Sequence, residues 1–252
     1  MITTPICLLR RRGCASTEHK QSRSDLFLLS IFCASLLSGC WGGVDRSVLA
    51  TVLSVEGEVL YQAKQGDPVR PLTADINPAG GALLSIADNA QVRLALLPGT
   101  LLHVSADSEV RIEELRLTKQ GNETDDGMRK RVARLRLTRG KIDIVFERRD
   151  DSEVRFSVVT PAVTVTVDED SIWHTDVDKD KTRLTCVRGK IHAQTGNQEP
   201  AIVKAGYFQE WPGGAPALAA ENAQAQGDVS DALEAARALQ QLQRAHINRR
   251  PF

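Results

Sequence analysis

Four short stretches of this chain place a glycine between two apolar runs of opposite phase. In Arg134-Leu135-Arg136-Leu137-Thr138-Arg139-Gly140-Lys141-Ile142, apolar residues stand five and three positions before Gly140, and again two and four after it (Ile142, Ile144). Arg183-Leu184-Thr185-Cys186-Val187-Arg188-Gly189-Lys190-Ile191 repeats the pattern around Gly189, continuing to Ala193. Weaker copies surround Gly57 (Val52, then Val59 and Tyr61) and Gly99 (Leu94 and Leu96, then Leu101). Side chains alternate between the two faces of a strand, so a change of phase sends apolar residues to solvent unless the chain itself turns. Glycine permits such a corner through a bulge or an unusual φ. Leu135, Leu137, Ile142 and Ile144 are therefore expected to be buried together, with a bend at Gly140. The glycines lie 42, 41 and 49 residues apart, the spacing of a repeated β-unit.

The stretch from Val48 to Trp211 supports this reading throughout. Val154-Arg155-Phe156-Ser157-Val158 and Val163-Thr164-Val165-Thr166-Val167 alternate with period two and are rich in β-branched residues. Turn residues separate such runs, as in Gly66-Asp67-Pro68, Asn77-Pro78 and Gly196-Asn197. The polar stretch from Gln120 to Lys130 reads as a loop. The fold class expected is all-β, a solenoid-like or twisted double-sheet domain over residues 48–211, plus one C-terminal α-helix. Residues 212–227 read as a linker. An amphipathic helix follows over 228–247, with Asp228 as its N-cap and Val229, Leu233, Ala236, Leu239, Leu242 and Ile247 at helical spacing. We expect that helix to pack on the β domain.

The N-terminus carries an export pattern. Basic residues end at Arg23, an apolar run extends from Leu26 to Leu37, and Ser38-Gly39-Cys40 follows. Leu37-Ser38-Gly39-Cys40 resembles the lipobox of bacterial lipoproteins. The resemblance implies a signal peptide over residues 1–39, recognition of Leu37, Ser38 and Gly39 by a peptidase, and a diacylglycerol on Cys40. Residues 40–47 would then be a tether. The uncharged stretch from Leu26 to Val44 is also just long enough to cross a bilayer, so an uncleaved anchor stays open as the alternative. Of the five cysteines, Cys40 and Cys186 remain after residue 39, and a lipidated Cys40 leaves Cys186 without a disulfide partner.

Composition narrows the partners. The chain carries 32 basic and 32 acidic residues, and aromatics make up 4%. A phosphate backbone is held by clustered cations and stacked bases by aromatic side chains, so nucleic acid is not expected as a partner. Catalytic patterns are missing as well. Asp176-Val177-Asp178-Lys179-Asp180 starts like a calcium loop but has Lys181 and Val187 where glycine and an acidic residue are needed, so it reads as a solvated turn. Cys186 occupies the apolar slot that Leu137 fills in the sister unit and reads as a buried structural thiol. The histidines at 103, 174, 192 and 246 look scattered. The basic cluster Arg129, Lys130, Arg131, Arg134, Arg136, Arg139 and Lys141 reads as a solvated strand face. No enzyme activity, metal or cofactor is expected.

Taken in order, these pieces resemble a FecR-type domain. The opening unit is Val55-Glu56-Gly57-Glu58-Val59. Gln91 to Thr100, Leu135 to Ile144, Phe156-Ser157-Val158-Val159-Thr160-Pro161-Ala162, Thr185 to Ile191 and Ala205-Gly206-Tyr207 follow. Where the family often continues into V-R-G-T-x-F, this chain has Val167-Asp168-Glu169-Asp170-Ser171-Ile172-Trp173, so the role of that arginine is not carried over. The resemblance implies a non-enzymatic periplasmic module in the bacterial cell envelope. The expectation is a binding or scaffold protein, held in the membrane through Cys40 and contacting an envelope protein or a glycan. Signalling members of the family act on a sigma factor through a cytoplasmic segment and a membrane-spanning helix. The alternative expectation is such a single-span regulator, against which stands the short stretch before the apolar run.

Overall fold

The computed structural model describes residues 44–119 and 128–248. The proposed signal peptide, Leu37, Ser38, Gly39 and Cys40 lie outside the described residues, as do 120–127 of the polar loop and the tail 249–252. The strands run in chain order as β1 (Val44–Ser47), β2 (Thr51–Glu56), β3 (Val59–Gln62), β4 (Arg70–Pro71), β5 (Leu83–Ile86), β6 (Gln91–Leu97), β7 (Thr100–Val104), β8 (Glu109–Lys119) and β9 (Met128–Phe146). They continue as β10 (Glu153–Val159), β11 (Thr164–Val167), β12 (Ser171–Asp178), β13 (Lys181–Arg188), β14 (Lys190–Gln194), β15 (Ala201–Lys204), β16 (Tyr207–Trp211) and β17 (Ala217–Leu218). A 3-10 turn, Ala219–Glu221, leads into one helix, α1 (Ala223–Asn248).

The strands form two layers that share β9. In sheet A the neighbours run β4–β3–β5–β8–β9–β10–β11–β14–β15, with β1 also on the β5 side of β8. Sheet B runs β2–β6–β7–β9–β12–β13–β16–β17. Only β9–β10 is parallel among these pairings. The first part of β9 pairs with β8 and β10, and the part from Gly140 onward pairs with β7 and β12. The strand thus changes sheet at Gly140, where φ is +88°.

That corner keeps both apolar phases inside. Leu135, Leu137, Ile142 and Ile144 are all fully buried, as the phase flip requires. A Cβ on Gly140 would stand 2.5 Å from the Cα of Ser108, so the corner is closed to any side chain. Ser108 is itself buried, and its hydroxyl accepts from the Lys141 N–H at 2.9 Å. Gly57 and Gly189 mark the same change of sheet, between β2 and β3 and between β13 and β14. Gly99 does something else. It turns the hairpin β6–β7 within sheet B, and a register shift between Ala95 and Leu97 carries Leu101 to the outer face, where it packs beneath α1.

The inner faces of both sheets make one core. Phe146 stacks on Phe156 at 6.1 Å between centroids, and Phe156 meets Trp173 at 5.8 Å. The Thr160-Pro161 motif closes the β10–β11 hairpin. The Thr160 hydroxyl donates to the Val163 carbonyl at 2.9 Å and accepts from the Val163 N–H at 3.1 Å.

Three boundaries differ from those read in the sequence. Val44–Ser47 of the expected tether is strand β1, paired with β8; its four side chains are all exposed, so no alternation marked it. Met128 to Lys130 belong to β9 rather than to the loop. The helix begins at Ala223, inside the expected linker, and Asp228 is not its cap. Asn222 is: its Oδ1 accepts the N–H groups of Gln224 and Ala225 at 3.0 Å each. Asp228 lies in the second turn, facing the sheet, and is 3% exposed.

Candidate functional site

Helix α1 covers the outer face of sheet B. Ala232, Ala236 and Leu239 pack there on Leu101, Val145 and Ile172, with Leu53, Ala95 and Val187 at the margins. Beside this apolar strip runs a row of polar side chains, one per strand. Strand register places His103 opposite Asp143, Asp143 opposite His174, and His174 opposite Thr185.

Asp143 is the centre of the row and is 1% exposed. His174 Nδ1–H donates to its Oδ1 at 2.7 Å, and His103 Nδ1–H donates to its Oδ2 at 2.9 Å. Two of the four histidines that looked scattered along the chain, His103 and His174, are thus brought onto one carboxylate. From His103 the row continues outward: its Nε2 lies 2.9 Å from Gln91 Oε1, which also accepts from Arg93 at 3.1 Å, and Arg93 reaches Glu56 at 2.6 Å. On the other side, His174 Nε2 lies 3.7 Å from Asp228 of α1. Arg183 Nε donates to Asp228 Oδ2 at 2.7 Å, the Thr185 hydroxyl donates to the same oxygen at 3.0 Å, and Arg183 also reaches Asp176 at 2.8 Å.

Burial and charge act against one another at these groups. Burial raises the Asp143 pKa, but hydrogen bonds from both histidines and their positive charge outweigh it, and its pKa lies below the ordinary 3.8. Burial lowers the His174 pKa, but the bond to Asp143 and the charges of Asp143, Asp228 and Asp176 outweigh that, and it lies above 6.5. His174 lies between two carboxylates, Asp143 and Asp228, and both favour its protonated form. Both oxygens of Asp143 are occupied by histidine, so the row is built to hold charge and position rather than to present converging metal donors. A pocket of about 220 Å³ opens at its outer end, lined by Arg93, His103, Ser105, Asp143, Asp231 and Glu234.

Of the other residues singled out in the sequence, Asp176 joins the row through Arg183 and the rest lie elsewhere. Cys186 is fully buried in the core between the sheets, and burial pushes its thiol up to about 12. Asp176 to Asp180 form the β12–β13 hairpin, with Asp176 tied to Arg183. Within the basic cluster, Arg134 and Arg136 share Glu113 at 2.6 Å each, and Lys130 lies 3.6 Å from Glu153. Arg131 points inward and pairs with Asp150 at 2.5 Å. Asp143 and Asp228 had gone unrecognised as members of a site. Asp143 alternates with the core-facing Ile142 and Ile144, so the strand pattern assigns it to the outer face, and α1 covers it there.

Residues 82–192 match the family model described as FecR protein. This part of the chain is thus similar to a FecR-type domain and lies inside the longer stretch 48–211 over which the sequence resemblance ran, and the fold is all-β with one C-terminal helix. Two crystal structures of a proposed anti-sigma factor from Parabacteroides distasonis ATCC 8503, at 1.65 and 2.50 Å resolution, are similar with TM-scores of 0.39 and 0.38 and identities of 13% and 14%. Each comparison covers 54% of this chain and 59% of the other. No curated protein matches.

Proposed function

We propose that this chain is a non-catalytic regulator of the FecR type in the bacterial cell envelope, tethered by a lipid on Cys40 and working by binding another envelope component. The match of residues 82–192 to the FecR family model carries the reading, and the lipobox-like Leu37-Ser38-Gly39-Cys40 earlier in the sequence supports the tether. The two-sheet scaffold supports it by presenting broad faces, one of them overlaid by α1. Metabolic labelling with a palmitate analogue tests the tether. The wild-type chain takes up label and sediments with membranes, and Cys40→Ser does neither; a labelled, membrane-bound Cys40→Ser protein overturns the lipid anchor.

A second reading is a single-span regulator acting on a sigma factor, favoured by the FecR-type match and by the long uncharged stretch from Leu26 to Val44. Intact mass of the mature chain separates the two. An N-terminus at Cys40 carrying acyl mass supports the tether, and an uncleaved Met1 supports the span.

A further inference from the structure

Helix α1 encloses few large side chains for its length. Of its 26 residues, the buried ones are Ala225, Asp228, Ala232, Ala235, Ala236 and Leu239, so one large apolar side chain is fully enclosed. Beyond Leu239 no described side chain is fully buried: Gln240 Nε2 donates to Glu147 at 3.1 Å, and Ile247 is 62% exposed. Adhesion by alanine is weak, because each buried methyl contributes little. Asp228 is the helix's buried polar pin.

The charges on the sheet do not need that pin. Arg183 also has Asp176 at 2.8 Å and Glu210 at 3.6 Å, and His174 has Asp143 at 2.7 Å, all partners on sheet B and none on α1. Breaking a buried ion pair is costly when it strands one charge in a dry site. Departure of the helix would return Asp228 to water and leave Arg183 and His174 each with a carboxylate partner on sheet B. It would also bare Leu53, Ala95, Leu101, Val145, Ile172 and Val187 as one apolar strip beside Arg183 and His174, and exposed strips of this kind serve as protein-binding surfaces. The covalent leash lies outside the strip, through β17 and the turn Ala219–Glu221.

We propose that α1 is a detachable cover on a helix-receiving strip of sheet B. The partner that displaces it is an amphipathic helix bearing a carboxylate, followed four, seven to eight and eleven positions later by small or apolar residues. Asp228, Ala232, Ala235, Ala236 and Leu239 supply the template, and the carboxylate answers Arg183 and His174. This rests on the reading of the chain as a binding module and names its surface. It does not depend on the lipid at Cys40, so the labelling experiment and the one below fail independently.

The test uses the full chain and a fluorescein-labelled peptide of residues 222–248. In Asp228→Asn, hydrogen exchange over 229–239 is expected to quicken at least tenfold while β9 is unchanged. Fluorescence anisotropy is expected to show the peptide binding this variant at least tenfold more tightly than wild type. A peptide with the same Asp228→Asn change is expected to lose that binding. Leu239→Ala loosens the cover without touching charge and gives the same order of affinities, so it carries the test if Asp228→Asn does not fold. Exchange that quickens in α1 and β9 together, or peptide binding equal in wild type and variants, overturns the proposal.

Discussion

At the scale of single residues, two positions concentrate most of the constraint. Gly140 sits at φ +88° with Ser108 against it, so a side chain there meets both backbone strain and a closed space. Gly140→Ala is expected to lower the unfolding free energy by about 3 kcal/mol in urea titrations, while Thr138→Ala, on the exposed face two residues earlier, stays within about 0.5 kcal/mol. His174 makes stability depend on pH. Its pKa is raised in the folded chain, so its contribution is full below about 6.5 and is lost as pH rises through the folded value. The groups facing it are Asp143, Asp176, Arg183 and Thr185 from the sheet and Asp228 from α1. Asp143, with a lowered pKa, gives stability that is present above 3.8 and lost as pH falls through its folded value. Urea midpoints measured across pH are expected to decline on the alkaline side in wild type, and His174→Gln to flatten that limb.

Among the elements, α1 shows how local chemistry and tertiary packing divide the work. Asn222 closes its N-terminus by accepting two backbone N–H groups, and replacing a cap of this kind costs about 1 kcal/mol. Asn222→Ala is expected to speed exchange in the first two turns of α1 and leave sheet A unaffected. A slowdown or a global effect would show that the helix start is set by packing instead. The shift of the helix start from the expected 228 to Ala223 has a plain cause. Ala223, Gln224, Ala225 and Gln226 favour helix but carry no apolar stripe, whereas Asp228 looked like a cap because a carboxylate there most often meets free N–H groups. In this chain it meets Arg183. Strand β1 escaped notice for the opposite reason: a strand with every side chain in solvent has no apolar period to read.

Across the whole molecule, β9 ties the layers together, since its two parts belong to different sheets and both feed one core. The sheets are expected to unfold as one cooperative unit. Far-UV circular dichroism, reporting strands, and near-UV signal, reporting Trp173 against Phe156, should share a single urea midpoint. Two separated midpoints would mean that the sheets are independent. Much of this architecture was legible beforehand. Alternation with period two is local, and a flip in its phase at Gly57, Gly140 and Gly189 specified that the chain must change sheet there, because apolar side chains cannot be left in water on either side of the corner. The all-β class and the identity of the core followed from that. The polar row did not. His103 and Asp143 are 40 residues apart, Asp143 and His174 are 31 apart, and Arg183 and Asp228 are 45 apart. Their meeting depends on the register of four strands and on which face of α1 turns inward. Those are properties of the assembled sheets, where low dielectric makes a charge seek a distant partner, and no local pattern in the chain encodes them.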